Sequence, residues 1–304
     1  MPDPIAQIRP PYTGPRPGVS VVILTLNEEI NLGDCLESCV WADDVHVLDS
    51  GSKDRTADLA RAGGATVHEH PFESFGAQRN WAIDHIPLRH DWVFHLDADE
   101  RFTGPLVSEI DRVLGSDPEH AGYYVANQMI FMGRWIKRAS GYPAYQMRLF
   151  HKGRMRFSDH GHGQREATAG TIGTLAEPYV HHNFSKGLDD WFDRHNRYSR
   201  READLILSRD AQGPGAGFGA GFGAGFGAVL GGLISGDRVV RRRSQKALAN
   251  RVPLRAHLRW LHTVLVKGAW LDGPAGMRYA TLLSVYERMI SLKLAERQSE
   301  GKGR

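Results

Sequence analysis

Two carboxylates one residue apart, Asp97-Ala98-Asp99, follow directly on the apolar run Asp91-Trp-Val-Phe-His-Leu96. That placement lets both side chains emerge at the end of a strand, where neither has to be buried. Oxygen donors of this kind suit Mg²⁺ or Mn²⁺, which bridges to phosphate oxygens and offsets charge developing on a diphosphate leaving group. By itself an Asp-x-Asp also describes a solvated acidic turn, so the surrounding residues must decide. They are Thr25 and Glu28, Asp49, Arg79, and the polar stretch Ser158-Asp-His-Gly-His-Gly-Gln-Arg-Glu166.

The elements that would position these residues alternate. Val19-Ser-Val-Val-Ile-Leu-Thr25 is a continuous apolar run after a Pro/Gly segment and reads as a buried parallel strand. A helix should follow, with Asn27-Glu28-Glu29 at its N-terminus and Ile30, Leu32, Cys35, Leu36, Cys39 and Val40 at helical spacing. Asp44 to Asp49 reads as a second strand, Thr56 to Ala62 as a helix, Ala65 to His68 as a third strand, and Phe75 to Ile86 as a helix before the strand that ends at Asp97. Strand and helix in alternation imply an open doubly wound α/β sheet, whose ligands bind beyond the carboxyl ends of the strands. Thr25, Asp49 and Asp97 all fall there. From Tyr123 to His182 the texture changes to short strand-like runs, and Leu188 to Leu207 reads as helical.

Four motifs then stand in order: Thr25-Leu-Asn-Glu28, Asp49-Ser-Gly-Ser-Lys-Asp54-Arg-Thr56, Gly76-Ala-Gln-Arg79-Asn80 and Asp97-Ala-Asp99-Glu100. In these the chain resembles the family 2 glycosyltransferases, inverting enzymes of GT-A fold, and in particular the bacterial branch acting on lipopolysaccharide-core and related envelope glycans. The resemblance implies a GT-A-type doubly wound mixed sheet with a Rossmann-like nucleotide-binding half. It implies a nucleotide-sugar donor held by Thr25, Glu28, Asp49, Arg79 and Asp97, with Asp49 on the base and Arg79 near the diphosphate. Asp99, with Asp97, would hold the Mg²⁺ or Mn²⁺. Ser50 stands where many relatives carry a second acidic residue or Asn, and Asp54 reads as a cap of the following helix. Inversion by direct displacement also requires a general base for the acceptor hydroxyl, for which Glu166 and then Asp159 are the candidates. His160 and His162 are alternatives as bases, since imidazole is the side chain suited to proton transfer near neutral pH, or they only decorate a mobile loop; as zinc ligands they lack a second cluster at ligand spacing. Gln146-Met-Arg148-Leu-Phe150 resembles a family segment on the acceptor side, with Gln146 and Arg148 able to face the site. Trp191, His195, Asn196 and Tyr198 belong to a similar pattern and receive no catalytic role.

Composition sets further bounds. Cys35 and Cys39, four residues apart, have no second pair to make a zinc site or a disulfide framework. The Pro-rich start has no basic and apolar leader, which predicts a cytoplasmic protein, and no run of about 18 apolar residues reads as a membrane span. Residues 211–304 hold fifteen Lys/Arg against five Asp/Glu. Within them Arg238, Arg241, Arg242, Arg243, Lys246, Arg251, Arg255 and Arg259 precede two amphipathic stretches, Trp260 to Trp270 and Met277 to Leu294. Basic clusters beside interfacial aromatics suit an anionic membrane surface and no nucleic-acid motif accompanies them. The expected organisation is a polar segment over 1–18 and a catalytic domain over 19–210, with a donor half to 120 and an acceptor half from 121. A Gly/Ala/Phe linker or membrane loop follows over 211–236, then a basic amphipathic helical tail over 237–304. The acceptor would be lipid-linked or lipopolysaccharide-like, at the inner face of the inner membrane. Two rival readings are a nucleotidyltransferase, disfavoured because Leu26-Asn-Glu-Glu29 is acidic where a basic phosphate loop is needed, and a silent scaffold, disfavoured because the acidic motif and candidate bases remain.

Overall fold

A computed structural model describes residues 13–116, 118–160, 163–211 and 254–302. The chain divides into two compact units, Met1–Ser185 and Lys186–Arg304.

In the first unit β1 (Val19–Thr25) pairs in parallel with β2 (Asp44–Asp49) on one side and β4 (Trp92–Asp97) on the other, and β3 (Thr66–Glu69) extends the sheet beyond β2. Beyond β4 the direction reverses. β8 (Tyr145–His151) runs antiparallel to β4, and β6 (Gly122–Phe131) antiparallel to β8. Then β12 (Tyr179–His181) pairs with β6 and the two-residue β5 (Glu100–Arg101) closes that edge against β12. Short strands β7 (Arg134–Trp135) and β11 (Ile172–Thr174) also pair with β6. The result is the mixed, doubly wound sheet expected of a GT-A-type fold.

Alternation along β1 fills two cores. Val19, Val21 and Ile23 face α1 (Leu32–Glu37) and α4 (Gly104–Leu114), where Leu32, Cys35, Leu106 and Ile110 are buried with Trp41 and Phe102. Val22 faces the opposite layer with Ala82 and Ile86 around α3 (Phe75–His85), joined by Phe150 and Phe157. The helix α2 (Thr56–Ala62) begins where expected; its N-cap is Arg55, which makes no side-chain cap bond, and Asp54, one residue earlier than a cap, accepts the Thr56 N–H at Oδ1 (3.0 Å). The first helix is shorter than the spacing suggests. Asn27 takes a left-handed backbone (φ 54°) and Ile30 is exposed, so the chain turns before the helix begins.

Strands β9 (Arg156–His160) and β10 (Gly163–Ala167) form a separate hairpin against α3. Asn80 fastens it by donating to the Phe157 carbonyl (2.8 Å) and accepting the Phe157 N–H (2.9 Å). Asp159 accepts from the Ser74 hydroxyl at 2.7 Å and the Gly76 N–H at 3.1 Å, which satisfies the α3 N-terminus. Gly76 is needed there because a Cβ would lie 2.8 Å from Asp159 Oδ1.

In the second unit α5 (Gly187–Ala211) packs on α7 (Gly273–Lys302) through Lys293, whose ammonium reaches Asn196 Oδ1 (2.6 Å) and Ser199 Oγ (2.7 Å). His195 stacks on Trp191 at 3.8 Å within α5 and meets the Tyr286 ring of α7 edge-on at 5.1 Å, so it takes part in the packing of the two helices. Helix α6 (Arg255–Leu261) continues through a π turn (His262–Val266) and a 3-10 turn (Ala269–Asp272) into α7. Gly276 is required by close approach, since a Cβ would meet the Ala269 carbonyl oxygen at 2.2 Å. The packing boundary falls before α5, which the sequence reading places in the acceptor half. The Gly/Ala/Phe repeat from 212 onward and the cluster Arg238 to Arg251 lie outside the described residues.

The Asn80 clamp is testable. Asn80→Ala leaves a backbone N–H and a carbonyl of Phe157 without their partners and should destabilise the first unit by about 1–3 kcal/mol, seen as a lower urea midpoint. An unchanged midpoint would mean that apolar contacts alone hold the hairpin.

Candidate active site

The site lies at the carboxyl edge of β1 and β4, where Asp97 is in register with Leu24. Its carboxylate is 39% exposed, yet it stands over a charged interior. Arg148, carried inward by β8, is fully buried and places one guanidinium nitrogen 2.7 Å from Asp97 Oδ2 and 2.5 Å from Glu100 Oε1. Glu100 Oε2 in turn accepts the Asp97 N–H at 3.1 Å. The guanidinium carbon of Arg148 lies over the Tyr179 ring, 5.4 Å from its centroid. Arg101, also buried, donates to the carbonyls of Ala98 (2.7 Å) and Asn31 (2.8 Å), which ties the acidic turn to the loop before α1.

Two further groups flank the turn. Arg79, on α3, is buried with its guanidinium 3.6 Å from Asp97 Oδ1 and 5.9 Å from the Phe157 ring centroid. His181, on β12, brings Nε2 to 3.3 Å from Asp99 Oδ2, while the next N–H, of His182, donates to the Asp99 carbonyl at 2.8 Å.

The electrostatics follow from this arrangement. Burial alone would raise the Asp97 pKa, but the charges of Arg148 and Arg79 and the Arg148 hydrogen bond bring it down to about 2. Asp99 is held below the ordinary carboxylate range, because the hydrogen bond and charge of His181 outweigh burial. His181 is raised correspondingly by Asp99 against its own burial. Glu100 goes the other way: its burial dominates and pushes it up to about 7 despite Arg148. Arg148 is shifted upward, since Asp97 and Glu100 together outweigh its burial, whereas burial and Arg148 lower Arg79 to about 10. The two carboxylates at the mouth are therefore charged at neutral pH, beside the buried guanidinium that α3 contributes.

Among the described residues no three His, Cys, Asp or Glu side chains form a ready cation cage. The donor set still fits Mg²⁺ or Mn²⁺. Such ions in phosphate-handling sites take one or two carboxylates and complete their shell with phosphate oxygens and water. Asp99 uses one oxygen toward His181 and leaves the other for a cation, with Asp97 one residue away and the His181 imidazole adjacent.

The structure thus brings Asp97, Asp99 and Arg79 together. Thr25 and Asp49 form a second group beside them, with the Thr25 hydroxyl donating to Asp49 Oδ1 at 2.8 Å. Asp49 also accepts from the Ser52 hydroxyl (2.5 Å) and from the backbone N–H groups of Gly51 (3.1 Å) and Ser52 (2.7 Å). Its four acceptor positions are thus taken, three by the turn it shapes and one by Thr25. Glu28 accepts from the Asn31 amide at 2.7 Å. Glu166 accepts from the Tyr124 hydroxyl at 3.1 Å, and Asp159 is spent on the N-terminus of α3; neither bonds to the Asp97 group. His162 lies outside the described residues.

Sequence reasoning passed over three residues of this site. Glu100 reads as a turn or helix N-terminus, whereas it is a buried strand residue paired with Arg148. His181 and Arg101 had no role. Their only signal is position, at the end of the short apolar run Tyr179-Val180 and directly after the acidic motif.

Arg148→Met would leave Glu100 buried without its cation, and we expect a loss of about 3–5 kcal/mol in stability. Adding Glu100→Gln should recover part of that loss, because the orphaned charge is then gone. Thermal unfolding of the two variants checks this; equal melting points would show that Glu100 is not the charge Arg148 neutralises.

Residues 20–167 match the glycosyl transferase family 2 sequence profile. The chain is 27% identical over 197 residues to the lipopolysaccharide core biosynthesis glycosyltransferase LpsC of Rhizobium meliloti, covering 62% of this chain and 72% of that protein. It is 30% identical over 139 residues to an uncharacterized glycosyltransferase of Rickettsia bellii, covering 44% of this chain and 46% of that one. Among solved structures it is similar to glucosyl-3-phosphoglycerate synthase from Mycobacterium tuberculosis in complex with Mn²⁺, uridine diphosphate and glucosyl-3-phosphoglycerate. That likeness has 20% identity and a TM-score of 0.40, over 57% of this chain and 74% of that one. The profile spans β1 to β10 and with them the Asp97-Ala-Asp99 turn, Arg79 and Arg148, so over residues 20–167 the chain carries a glycosyl transferase family 2 domain.

Proposed function

We propose that the protein is a metal-dependent, inverting glycosyltransferase that moves a hexosyl- or heptosyl-type sugar to a lipid-linked or lipopolysaccharide-type envelope acceptor. The observation that carries the metal-dependent half is the pair Asp97 and Asp99, both below the ordinary carboxylate range at the sheet's carboxyl edge, between Arg79 and His181. Asp99 and Asp97 would hold Mg²⁺ or Mn²⁺, with His181 beside them. When bound, the ion neutralises charge on the departing diphosphate. Arg79 adds a fixed positive charge on the same side of Asp97, and buried Arg148 and Glu100 keep the acidic turn from rearranging. Thr25, Glu28 and Asp49 shape the wall on which the nucleotide would rest.

In an inverting step the acceptor oxygen forms a bond to the anomeric carbon while the carbon–oxygen bond to the diphosphate breaks, and a carboxylate takes the acceptor proton. Glu166 is the candidate for that base. Asp159 is second, because its oxygens already serve the Ser74 hydroxyl and the Gly76 N–H. The likeness to LpsC supports an envelope acceptor. No helix among the described residues is long and apolar enough to cross a membrane. The proposal therefore places the chain as a peripheral protein on the cytoplasmic face of the inner membrane.

Asp99→Ala should abolish Mn²⁺- or Mg²⁺-dependent transfer with the fold intact; full activity in that variant would remove the metal mechanism. A panel of UDP-, GDP-, dTDP- and ADP-sugars should contain one donor that raises the melting temperature only when metal is present. Glu166→Gln should lower kcat by about 10²–10⁴-fold while leaving that donor stabilisation unchanged. If it does not, and Asp159→Asn does, the base is Asp159.

A further inference from the structure

The second unit presents an apolar surface that nothing in the described residues covers. Leu254, Leu258, Leu261 and Leu265 recur at intervals of four, three and four, so α6 and the π turn after it carry them along one face. All four are exposed, Leu265 by 67%, and the stripe continues into Val266 at 74% and Trp270 at 58%. The rotation of this segment is fixed from the opposite side. Ala256, Thr263, Val264 and Ala269 are buried, the Ser284 hydroxyl of α7 donates to the Ala256 carbonyl at 2.9 Å, and Arg255 is paired with Glu287 of α7. The leucines thus point outward because the inward face is already packed and ion-paired. An exposed stripe of six large apolar side chains in one short segment exceeds what a monomer in water normally displays.

The charge around the stripe identifies its occupant. Between residues 254 and 271 the sequence holds no carboxylate, and beside Arg255, which is paired inward with Glu287, it holds Arg259 and Lys267; residues 237–253 add six Lys/Arg against one Asp. A second copy placed across this face would bring cation against cation. An anionic bilayer accepts both features: leucines and an indole enter the acyl boundary while the cations stay at phosphate level. We infer that the face formed by Leu254, Leu258, Leu261, Leu265, Val266 and Trp270 is a monotopic docking surface for anionic phospholipid. This gives the membrane part of the proposed function a definite surface, and it stands on lipid binding alone, whatever sugar is transferred.

The test is sedimentation of the intact chain with sucrose-loaded vesicles of phosphatidylcholine and phosphatidylglycerol at 3:1, against vesicles of phosphatidylcholine only, with no nucleotide sugar present. The wild type should partition onto the mixed vesicles and much less onto the neutral ones. The triple variant L265Q/V266Q/W270Q should lose at least about a hundredfold in partition coefficient, with its melting temperature and its donor-induced stabilisation retained. The inference is overturned if the wild type stays in solution with the mixed vesicles, as it would were this face covered by the chain's own segment 212–253. It is equally overturned if the folded variant binds as the wild type does, or if ultracentrifugation without lipid shows a wild-type dimer that the variant abolishes. Because no donor enters the vesicle assay, failure of lipid binding leaves the reading of Asp97 and Asp99 untouched.

Discussion

One guanidinium, that of Arg148, lies inside the first unit with a carboxylate on either side of its contact nitrogen. Taking such a cation out of water is costly, and its attraction to Asp97 and Glu100 repays this only if the geometry is close. The geometry is close because three elements converge. β8 enters the sheet antiparallel to β4 and brings Arg148 to the level of the acidic turn; β5 turns Glu100 inward; and β12 pairs with β5, which keeps Glu100 sealed and sets Tyr179 beneath the guanidinium. Since Glu100 also accepts the Asp97 N–H, the backbone of the turn is fixed by the same buried pair. The charge balance is unequal. Asp97 reaches solvent and keeps its charge, whereas Glu100 does not and its pKa is pushed to about 7. The turn can therefore offer carboxylates outward without shifting, which is the preorganisation that the proposed diphosphate site would need.

The parts of this arrangement that the sequence makes legible are those specified locally. β1, β2, α2, α3 and β4 follow from apolar period and flanking turn residues, and Asp97, Asp99 and Arg79 follow from their places at the ends or on the faces of those elements. What escapes is set by partners far along the chain. Glu100 is 48 residues from Arg148, and an acidic residue after an acidic turn carries no local sign that it will be buried. Asp159 is similar: its loop is polar, and only the fold reveals that Ser74 and Gly76, 85 and 83 residues earlier, occupy its oxygens. Asp49 was legible as a strand-end residue but not as the acceptor around which its own turn closes. The short first helix fails for a local reason, because helical spacing from Ile30 onward gives no warning of the left-handed Asn27 that delays the start.

The same clamp that hides Asp159 links the two groups on which the proposed reaction depends. Arg79 can stand beside Asp97 only if α3 is held in place, and α3 is held by the hairpin: Asp159 at its N-terminus, and Asn80 along its length through both backbone groups of Phe157. Phe157 also lies near the Arg79 guanidinium, and across the hairpin it is in register with Glu166. The candidate base and the donor-side cation are thus attached to opposite sides of one residue. A movement of the hairpin that carried Glu166 toward an acceptor would pull on Phe157, and through Asn80 on the helix that positions Arg79. Rigid seating of the hairpin is then a condition for both charges, which accounts for the use of a glycine at position 76, where any larger residue would displace Asp159.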